Sequence, residues 1–559
     1  MNATIIFLLL LGLMLTGMPI SISLGLTVLS FLFLFTQVPL ESVALKLFTG
    51  IEKFEIMAIP FFILAGNFLT HGGVARRMIR FATALVGHWP GGLGLAGVLA
   101  CALFAAISGS SPATVVAIGS ILLPAMVKAG FPNKFGAGVI TTSGALGILI
   151  PPSIVMVMYS VATNTSVGAL FMAGVLPGLL LALVLGLVTW YRAWKFGYPR
   201  AKLFAERSNS QASIGALFGA YFALIFTAVP PLIVGSLLAE VLPSSGLSYL
   251  IAGFGWLLAA PWTTRNKWVI RFVYVVLNVI GVPMALSLGI LHLLDGVPPT
   301  IAMVVPTAVT VGWLLLIQAC GAHSKIAPTF RFELMWESLE VWRVYWESIW
   351  GLLLILVVMG GIYAGLFTPT EAAAMSAVYA FVVAVFVYKD LKLADVPRVL
   401  LSSANMSAML LYIITNAVLF SFIMTNENIP QALADWMLGN GLGHIAFLLA
   451  VNVVLLVAGN FMEPSSIVLI FAPILFPVAT KLGIDPVHFG IIMVVNMEVG
   501  MCHPPVGLNL YVASGITRMG ITELTVAVWP WLLSMLGFLV LVTYWPGLSI
   551  WLPKVLGMM

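Results

Sequence analysis

The chain has 559 residues, of which 61% are apolar and 8% are charged, whereas an ordinary soluble domain is roughly 25% charged. Apolar runs of about 20 residues recur along nearly the whole length without the alternation of barrel strands, which predicts an all-α polytopic membrane protein. The net charge of +5 does not indicate a nucleic-acid-binding protein, because the basic residues stand between the apolar runs rather than in one patch.

The first apolar stretch, residues 3–36, contains a Gly-Met-Pro break and predicts one broken element or two. A span near 57–69 follows. Residues 95–126 are apolar on both sides of a serine-rich centre, 108–112, and neither half reaches the roughly 20 residues that a span needs. We therefore predict a re-entrant helical hairpin, with Ser110 or Ser111 capping the outgoing helix. A single kinked span and two spans joined by a tight turn remain as alternatives.

The next segment, residues 135–161, contains a helix break with two glycines and two adjacent prolines. A proline lacks an N–H group and clashes with the carbonyl four residues back, so Pro151 frees the Gly147 carbonyl and Pro152 that of Ile148. Irregular backbone at membrane depth persists only inside protein or beside a polar cavity. Freed carbonyls beside serine hydroxyls suit a hard cation such as Na⁺, and the helix start that follows suits an anion.

After a span near 170–190 comes the densest basic stretch, which the positive-inside rule places in the cytoplasm. It contains Arg192, Lys195, Arg200, Lys202 and Arg207. Four more apolar segments lie within 213–320. We interpret residues 208–344 as an inserted block of about four extra transmembrane helices with a cytoplasmic linker.

The remaining chain predicts two helices around 365–371, with Thr368 or Thr370 as the cap of the second and Glu371 in its first turn. Spans near 402–424 and 442–459 follow, separated by a polar loop over 426–440. A second hairpin then has its tip at 463–466, and a second broken helix covers 490–514.

The two hairpin-and-break stretches are copies of each other. Residues 110–180 and 463–533 align without a gap at an offset of 353, and several helix breakers are identical. They include Gly147/Gly500, Pro151/Pro504, Pro152/Pro505 and Pro177/Pro530. Such duplication is expected in a transporter whose site lies between two related halves. We therefore predict an inverted repeat made of residues 1–207 and 345–559.

Five motifs together resemble the large membrane subunit, M, of tripartite ATP-independent periplasmic (TRAP) transporters. They are GSSPAT, LGILIPPS, FTPTEAAA, EPSSIVLI and NMEVGMCHPPVGLNLYVASGI. The resemblance implies a multi-pass, elevator-type secondary transporter of the bacterial inner membrane, with two re-entrant hairpins in a transport domain that moves against a scaffold. It also implies Na⁺ coupling, a small membrane subunit Q, and a periplasmic binding protein P that delivers an organic acid such as a C4-dicarboxylate.

By motif position, the resemblance implies two Na⁺ sites, each between a hairpin tip and a helix break. The first site would comprise Ser108, Gly109, Ser110, Ser111, Gly144, Gly147 and Pro151. The second would comprise Glu463, Ser465, Ser466, Gly500, His503 and Pro504. The residues expected to line the substrate are Ser143, Pro152, Ser153, Asn496, Pro505, Gly507 and Asn509.

Two departures from the family pattern stand out. Residues 213–320 are absent from typical members, and their helices are expected to enlarge the scaffold or pack where Q would. His503 stands where many relatives carry threonine, and an imidazole coordinates a cation differently from a hydroxyl.

Glu498 aligns with Ala145, so the repeat favours a structural hydrogen bond over a cation-ligand role.

The same sequence is compatible with two other functions. A stand-alone ion-coupled anion symporter of similar hairpin architecture is the first alternative, and an ion channel is the second. An enzyme is not expected, because the chain has no H-E-x-x-H or G-x-S-x-G signature. The chain also lacks a phosphate-binding G-x-x-x-x-G-K-[ST] loop, so ATP is not expected to be its direct energy source.

Overall fold

The computed structural model describes residues 2–36, 39–87, 89–199, 332–363, 365–440, 443–460, 462–504 and 507–558. Within these ranges, every regular element is a helix. Seven of the described helical segments are long and apolar enough to cross a membrane. The chain is therefore an all-α, multi-pass membrane protein, as the composition predicts.

The described residues of the first half form ten α-helices. They are α1 (Asn2–Leu15), α2 (Ile20–Phe35), α3 (Leu40–Thr49), α4 (Ala58–His71), α5 (Val74–Val86), α6 (Gly92–Ser108), α7 (Ser111–Lys128), α8 (Asn133–Gly144), α9 (Ile154–Thr163) and α10 (Val167–Lys195). A 3₁₀ turn, Phe54–Met57, precedes α4, and a second one, Ala145–Ile148, extends α8.

The second half contains ten further described α-helices. They are α11 (Phe332–Tyr363), α12 (Pro369–Val382), α13 (Val396–Asn426), α14 (Ile429–Gly439), α15 (His444–Gly459), α16 (Pro464–Lys481), α17 (Pro486–Cys502), α18 (Leu508–Thr517), α19 (Ile521–Tyr544) and α20 (Gly547–Val555). A π-helical turn, Val383–Val387, extends α12.

Sequence reasoning found most of these elements and missed some short ones. The polar loop predicted over 426–440 is wrong, because α14 occupies most of it. This helix has 11 residues and buries Ala434 and Met437, and polar residues flank it on both sides, so the segment resembles a loop in sequence. The first apolar stretch is two helices, α1 and α2, which settles the alternative left open there.

The start of α12 confirms the predicted cap. The Thr368 hydroxyl accepts a hydrogen bond from the Glu371 amide at 3.3 Å, and the Glu371 carboxylate accepts one from the Thr368 amide at 2.8 Å. This reciprocal pair is a capping box, which satisfies two backbone donors that a helix start otherwise leaves without partners.

The duplication is visible in the helix bounds. Adding the offset of 353 to the bounds of α7 gives those of α16, and α9 shifted in the same way differs from α18 by one residue at each end. The two copies of each hairpin and break therefore share one backbone plan.

Equivalent helices of the two copies also make reciprocal contacts, in which each helix packs against a helix of the other copy. Helix α7 packs against α18 while α16 packs against α9, and α8 packs against α19 while α17 packs against α10. A two-fold relation between two copies produces this kind of reciprocal contact. The inverted orientation in the bilayer and the boundaries of the three predicted regions remain predictions, and most of 208–344 lies outside the described residues.

Each hairpin is a pair of packed helices with a short tip. Helix α6 ends at Ser108, Gly109 turns the chain with a φ of +59°, and α7 begins at Ser111. Helix α15 and α16 form the second pair. The alternative of one kinked span, given for the first hairpin, is therefore wrong.

The length argument used for the hairpins does not hold for their outgoing helices. Helices α7 and α16 have 18 residues each, and both belong to the helices long enough to cross a membrane. The helix–tip–helix plan is confirmed, and its re-entrant position in the bilayer remains a prediction.

Candidate functional site

The tip of the first hairpin lies directly on the first helix break. A Cβ atom added to Gly147 would lie 2.6 Å from the Ser110 carbonyl oxygen and 2.8 Å from the Ser111 Cα atom. A Cβ atom on Gly109 would lie 2.9 Å from the Pro152 carbonyl oxygen. The predicted first group is therefore brought together, and glycine is needed where the two backbones meet.

The other members of this group are equally close-packed. A Cβ atom on Gly144 would lie 2.2 Å from the side chain of Val115 on α7. Pro151 is buried within the break itself. The Ser108 hydroxyl lies 2.9 Å from that of Thr114, which donates to the Ser110 carbonyl at 2.9 Å. Thr114 was not predicted, although its place one turn into α7 could have suggested it.

The predicted cap of α7 is wrong. Ser110 occupies the N-cap position but its side chain makes no capping hydrogen bond. The Ser111 hydroxyl instead donates across to the Gly144 carbonyl at the end of α8, at 3.0 Å. The hydroxyl therefore ties the hairpin tip to the break rather than closing its own helix.

The carbonyls freed by the prolines are partly used inside the protein. Ser153 donates to the Ile148 carbonyl at 2.6 Å and accepts from the Met156 amide at 3.3 Å, so it caps α9. In the second break, the Gly500 carbonyl accepts from the His503 amide at 3.1 Å. Ser153, predicted to line the substrate, is fully buried in this structural role.

The second break packs differently from the first. A Cβ atom on Gly500 would lie 2.9 Å from the Cα atom of Gly459, at the end of the incoming helix α15. The equivalent Gly147 meets the tip itself. The second hairpin therefore contacts its helix break through its incoming helix, α15, rather than through its tip.

His503 is held by a residue that the sequence analysis did not name. With its amide nitrogen facing the break, Asn460 donates to His503 Nδ1 at 3.0 Å and to the Pro504 carbonyl at 3.1 Å. Asn460 is nearly buried at the end of an apolar helix, which is a signal that could have identified it. Its equivalent in the first copy is Ile107, so comparison of the repeats passed over it.

The second hairpin tip carries buried oxygens. The Glu463 carboxylate faces the Ser465 hydroxyl and the Ser466 amide at the start of α16. Among the described residues, Glu463 Oε1 and Ser466 Oγ have no hydrogen-bond partner. Buried polar atoms are almost always paired, so these two oxygens are suited to a bound cation.

The donor chemistry of both tip–break contacts fits a hard cation. The groups present are hydroxyl, carbonyl, amide and carboxylate oxygens, which are the ligands that such ions prefer. Near the first contact, the oxygens of Ser143 and Asn509 are also buried without a hydrogen-bond partner in the part of the chain that the structure describes. The assignment of single residues as Na⁺ ligands remains a prediction.

The predicted substrate-lining residues fall in several places. Asn496 is fully buried and donates to Asn452 at 2.5 Å, and Asn452 donates to Thr543 at 3.0 Å, which links α17, α15 and α19. Gly507 forms the turn before α18 with a φ of +48°. Pro505 lies outside the described residues.

Glu498 lies where the two halves meet. Its side chain is fully buried, and the backbone amide of Leu149, in the first break, faces it. Within the described ranges, neither carboxyl oxygen makes a hydrogen bond. The Leu149 amide is the candidate donor for the structural hydrogen bond expected of Glu498, and that role remains a prediction.

Comparison with known families shows which family this chain belongs to. Residues 7–252 and 296–548 match the family described as the tripartite ATP-independent periplasmic transporter, DctM component. The chain belongs to this TRAP permease family. The match enters the predicted block 208–344 from both sides and leaves 253–295 unmatched.

Individual relatives of this TRAP permease agree. The chain is 59% identical over 572 residues to the C4-dicarboxylate TRAP transporter large permease protein DctM of Rhodobacter capsulatus, and the alignment covers 100% of both chains. It is 42% identical to the protein of the same name from Pseudomonas aeruginosa, over 96% of this chain and 95% of the relative. These relatives are transport permeases, so the chain is a transporter and not an enzyme.

A third relative of this permease is longer. The isethionate TRAP transporter permease protein DctMQ of Oleidesulfovibrio alaskensis is 34% identical, over 95% of this chain but 63% of the relative. About a third of that protein therefore has no counterpart in this chain.

Proposed function

We propose that this TRAP permease carries a C4-dicarboxylate or a related organic acid into the cell across the bacterial inner membrane, driven by a Na⁺ gradient. The identity of 59% over the full length of a relative named for C4-dicarboxylates carries the substrate class. Buried oxygens at two tip–break contacts support a coupling cation. Helix starts after both breaks offer N–H groups to a carboxylate.

The geometry suggests how the ion and the substrate are linked. The first hairpin packs on its broken helix at Gly147, and the second packs on its broken helix at Gly500. Because glycine allows these close contacts, we propose that each hairpin and its break move as one body. Na⁺ bound at these contacts would favour the arrangement in which both tips are seated, and such a difference in affinity between two states shifts their populations. We propose that this body is the transport domain of an elevator mechanism.

We further propose two protein partners, a small membrane subunit Q and a periplasmic binding protein P. The extra third of the DctMQ relative is consistent with a second subunit that is a separate chain here. Exposed apolar side chains on α1 and α2 offer a surface for that subunit within the bilayer. They include Leu8, Leu15, Phe33 and Leu34.

The test is uptake of a labelled C4-dicarboxylate into proteoliposomes that contain this chain and its Q subunit. The binding protein is added or omitted, and an inward Na⁺ gradient is imposed or collapsed. Accumulation that requires both supports the whole proposal. Na⁺-driven uptake without the binding protein would instead indicate a stand-alone symporter. An internal substrate concentration that never exceeds its equilibrium value would indicate a channel.

A further inference from the structure

The Ser111 hydroxyl at the first hairpin tip lies between two groups from different halves of the chain. Its Oγ atom is 3.0 Å from the Gly144 carbonyl oxygen and 2.7 Å from Asn509 Nδ2. A carbonyl oxygen only accepts and an amide nitrogen only donates. Ser111 therefore gives its one proton to Gly144 and accepts from Asn509, which leaves one of its lone pairs available.

The orientation of the Asn509 amide follows from its second neighbour. Asn509 Nδ2 lies 3.5 Å from the Thr141 carbonyl oxygen, which can only accept, so the nitrogen must face Thr141 and Ser111. Oδ1 then points away from both. The residue is fully buried, and in the part of the chain that the structure describes Oδ1 has no hydrogen-bond partner.

The fold carries Asn509 from the second copy into the first site. Gly507 turns the chain tightly, because a Cβ atom there would lie 2.7 Å from the Met501 carbonyl oxygen. Asn509 follows in the first turn of α18, which packs against α7 and α8. Its amide therefore reaches the contact between the first tip and the first break.

We infer that Asn509 completes the first cation site from the opposite half of the transporter. Its nitrogen holds the Ser111 hydroxyl so that a lone pair is left for Na⁺, and its Oδ1 atom supplies a further oxygen. The inference rests on the proposed Na⁺ coupling. It replaces the expectation that Asn509 lines the substrate.

The second site has no equivalent device. The positions that correspond to Ser111 and Asn509 are Pro464 and Met156, and neither side chain forms hydrogen bonds of this kind. Among the described residues, the Ser111–Asn509 contact between the two halves therefore has no counterpart at these two positions of the second site. A cation bound at the first site would hold α7 against α18.

The test is a Na⁺ titration of the full chain with its Q subunit, without substrate and at constant ionic strength. Melting temperature is recorded against NaCl and, in parallel, LiCl. Asn509→Leu is expected to raise the Na⁺ midpoint at least tenfold and to change the preference for Na⁺ over Li⁺. Ser111→Ala should do the same, and the double variant should lose little more than the worse single variant, because the two groups act as one unit.

Asn452→Leu is the matched control, since it removes a buried amide elsewhere in the core. It is expected to lower the melting temperature without moving the Na⁺ midpoint. Asn509→Ser, a smaller polar change, is measured alongside in case Asn509→Leu does not fold, and an intermediate loss of Na⁺ affinity is expected from it.

The outcomes separate this inference from the proposed function. An unchanged midpoint in both Asn509 variants would overturn the inference and leave Na⁺ coupling standing. A higher substrate KM at saturating Na⁺ with an unchanged midpoint would also overturn it, because Asn509 would then contact substrate. A wild-type protein that does not respond to Na⁺ would overturn both.

Discussion

The two copies of the hairpin and break share one backbone plan but use different side chains. In the first, the tip rests on Gly147, and the neutral Ser111 hydroxyl donates directly to the break. In the second, Gly500 rests on Gly459, and the nearby groups include Glu463 and His503, both ionisable. Duplication has therefore kept the helix breaks, which depend on proline and glycine, while the polar groups around them have diverged.

The largest effect is expected from a methyl group at the first contact. In Gly147→Ala the new Cβ atom meets backbone atoms at 2.6–2.8 Å that cannot rotate away. Overpacking of this kind costs about 1–3 kcal/mol, so we expect Na⁺ affinity to fall about tenfold or more, with a parallel loss of uptake. The Na⁺ affinity is measured as the NaCl concentration that gives half of the maximal rise in melting temperature.

Gly500→Ala sharpens the comparison, because its Cβ atom would meet Gly459 at 2.9 Å and a smaller loss is expected. Gly515→Ala is the control, since nothing lies within 4 Å of a Cβ atom there. Wild-type Na⁺ affinity in Gly147→Ala would show that the close contact between tip and break is not needed for ion binding.

The next effect concerns the partner of His503. Asn460→Ala removes the amide that contacts the half-buried residues His503 and Pro504, and the loss of such a hydrogen bond costs about 0.5–1.5 kcal/mol. We expect Na⁺-driven uptake to fall severalfold. Asn440→Ala is the matched control, because this exposed asparagine donates to the Trp436 carbonyl one turn back in its own helix. Equal uptake in the two variants would separate Asn460 from the transport cycle.

A smaller effect is expected in the chain of buried amides. Asn452→Leu removes the closer of the two acceptors of Asn496 Nδ2 and leaves the Ile492 carbonyl at 3.3 Å, so it should reduce stability by about 1–2 kcal/mol. The melting temperature should fall while the substrate KM stays unchanged, because these groups join helices. A raised KM would instead place Asn496 at the substrate, as the sequence analysis predicts.

The smallest effect is expected at the contact of Lys53 with the end of α9. Lys53 donates to the Val161 carbonyl at 2.5 Å and to Asn164 at 2.7 Å, which anchors the end of α9. The residue 353 positions further along the chain is Met406, which lies inside α13.

Lys53→Met should remove these two hydrogen bonds and weaken the end of α9 by about 0.5–1.5 kcal/mol. Hydrogen exchange of residues 159–166 measures it, with Lys392→Met, at an exposed lysine in another loop, as the control. Unchanged exchange would mean that Lys53 does not restrain α9.

The positions of the hairpin tips and helix breaks were predictable because proline and glycine act on nearby backbone. Helix α14 was not, because it has only 11 residues and lies between polar residues at both ends. The site groups were predicted as sets by motif, and Asn460 was missed because the other copy carries isoleucine there.

The sequence by itself determined the class of protein, the number of copies and the places where the helices break. These follow from composition, from the 353-residue offset and from residues that act within one helical turn. The tertiary structure alone decided which oxygens are used. Ser153 takes up the Ile148 carbonyl, and Asn509 reaches Ser111 from 398 residues away, because side-chain partners are chosen by packing between helices and not by position in the chain.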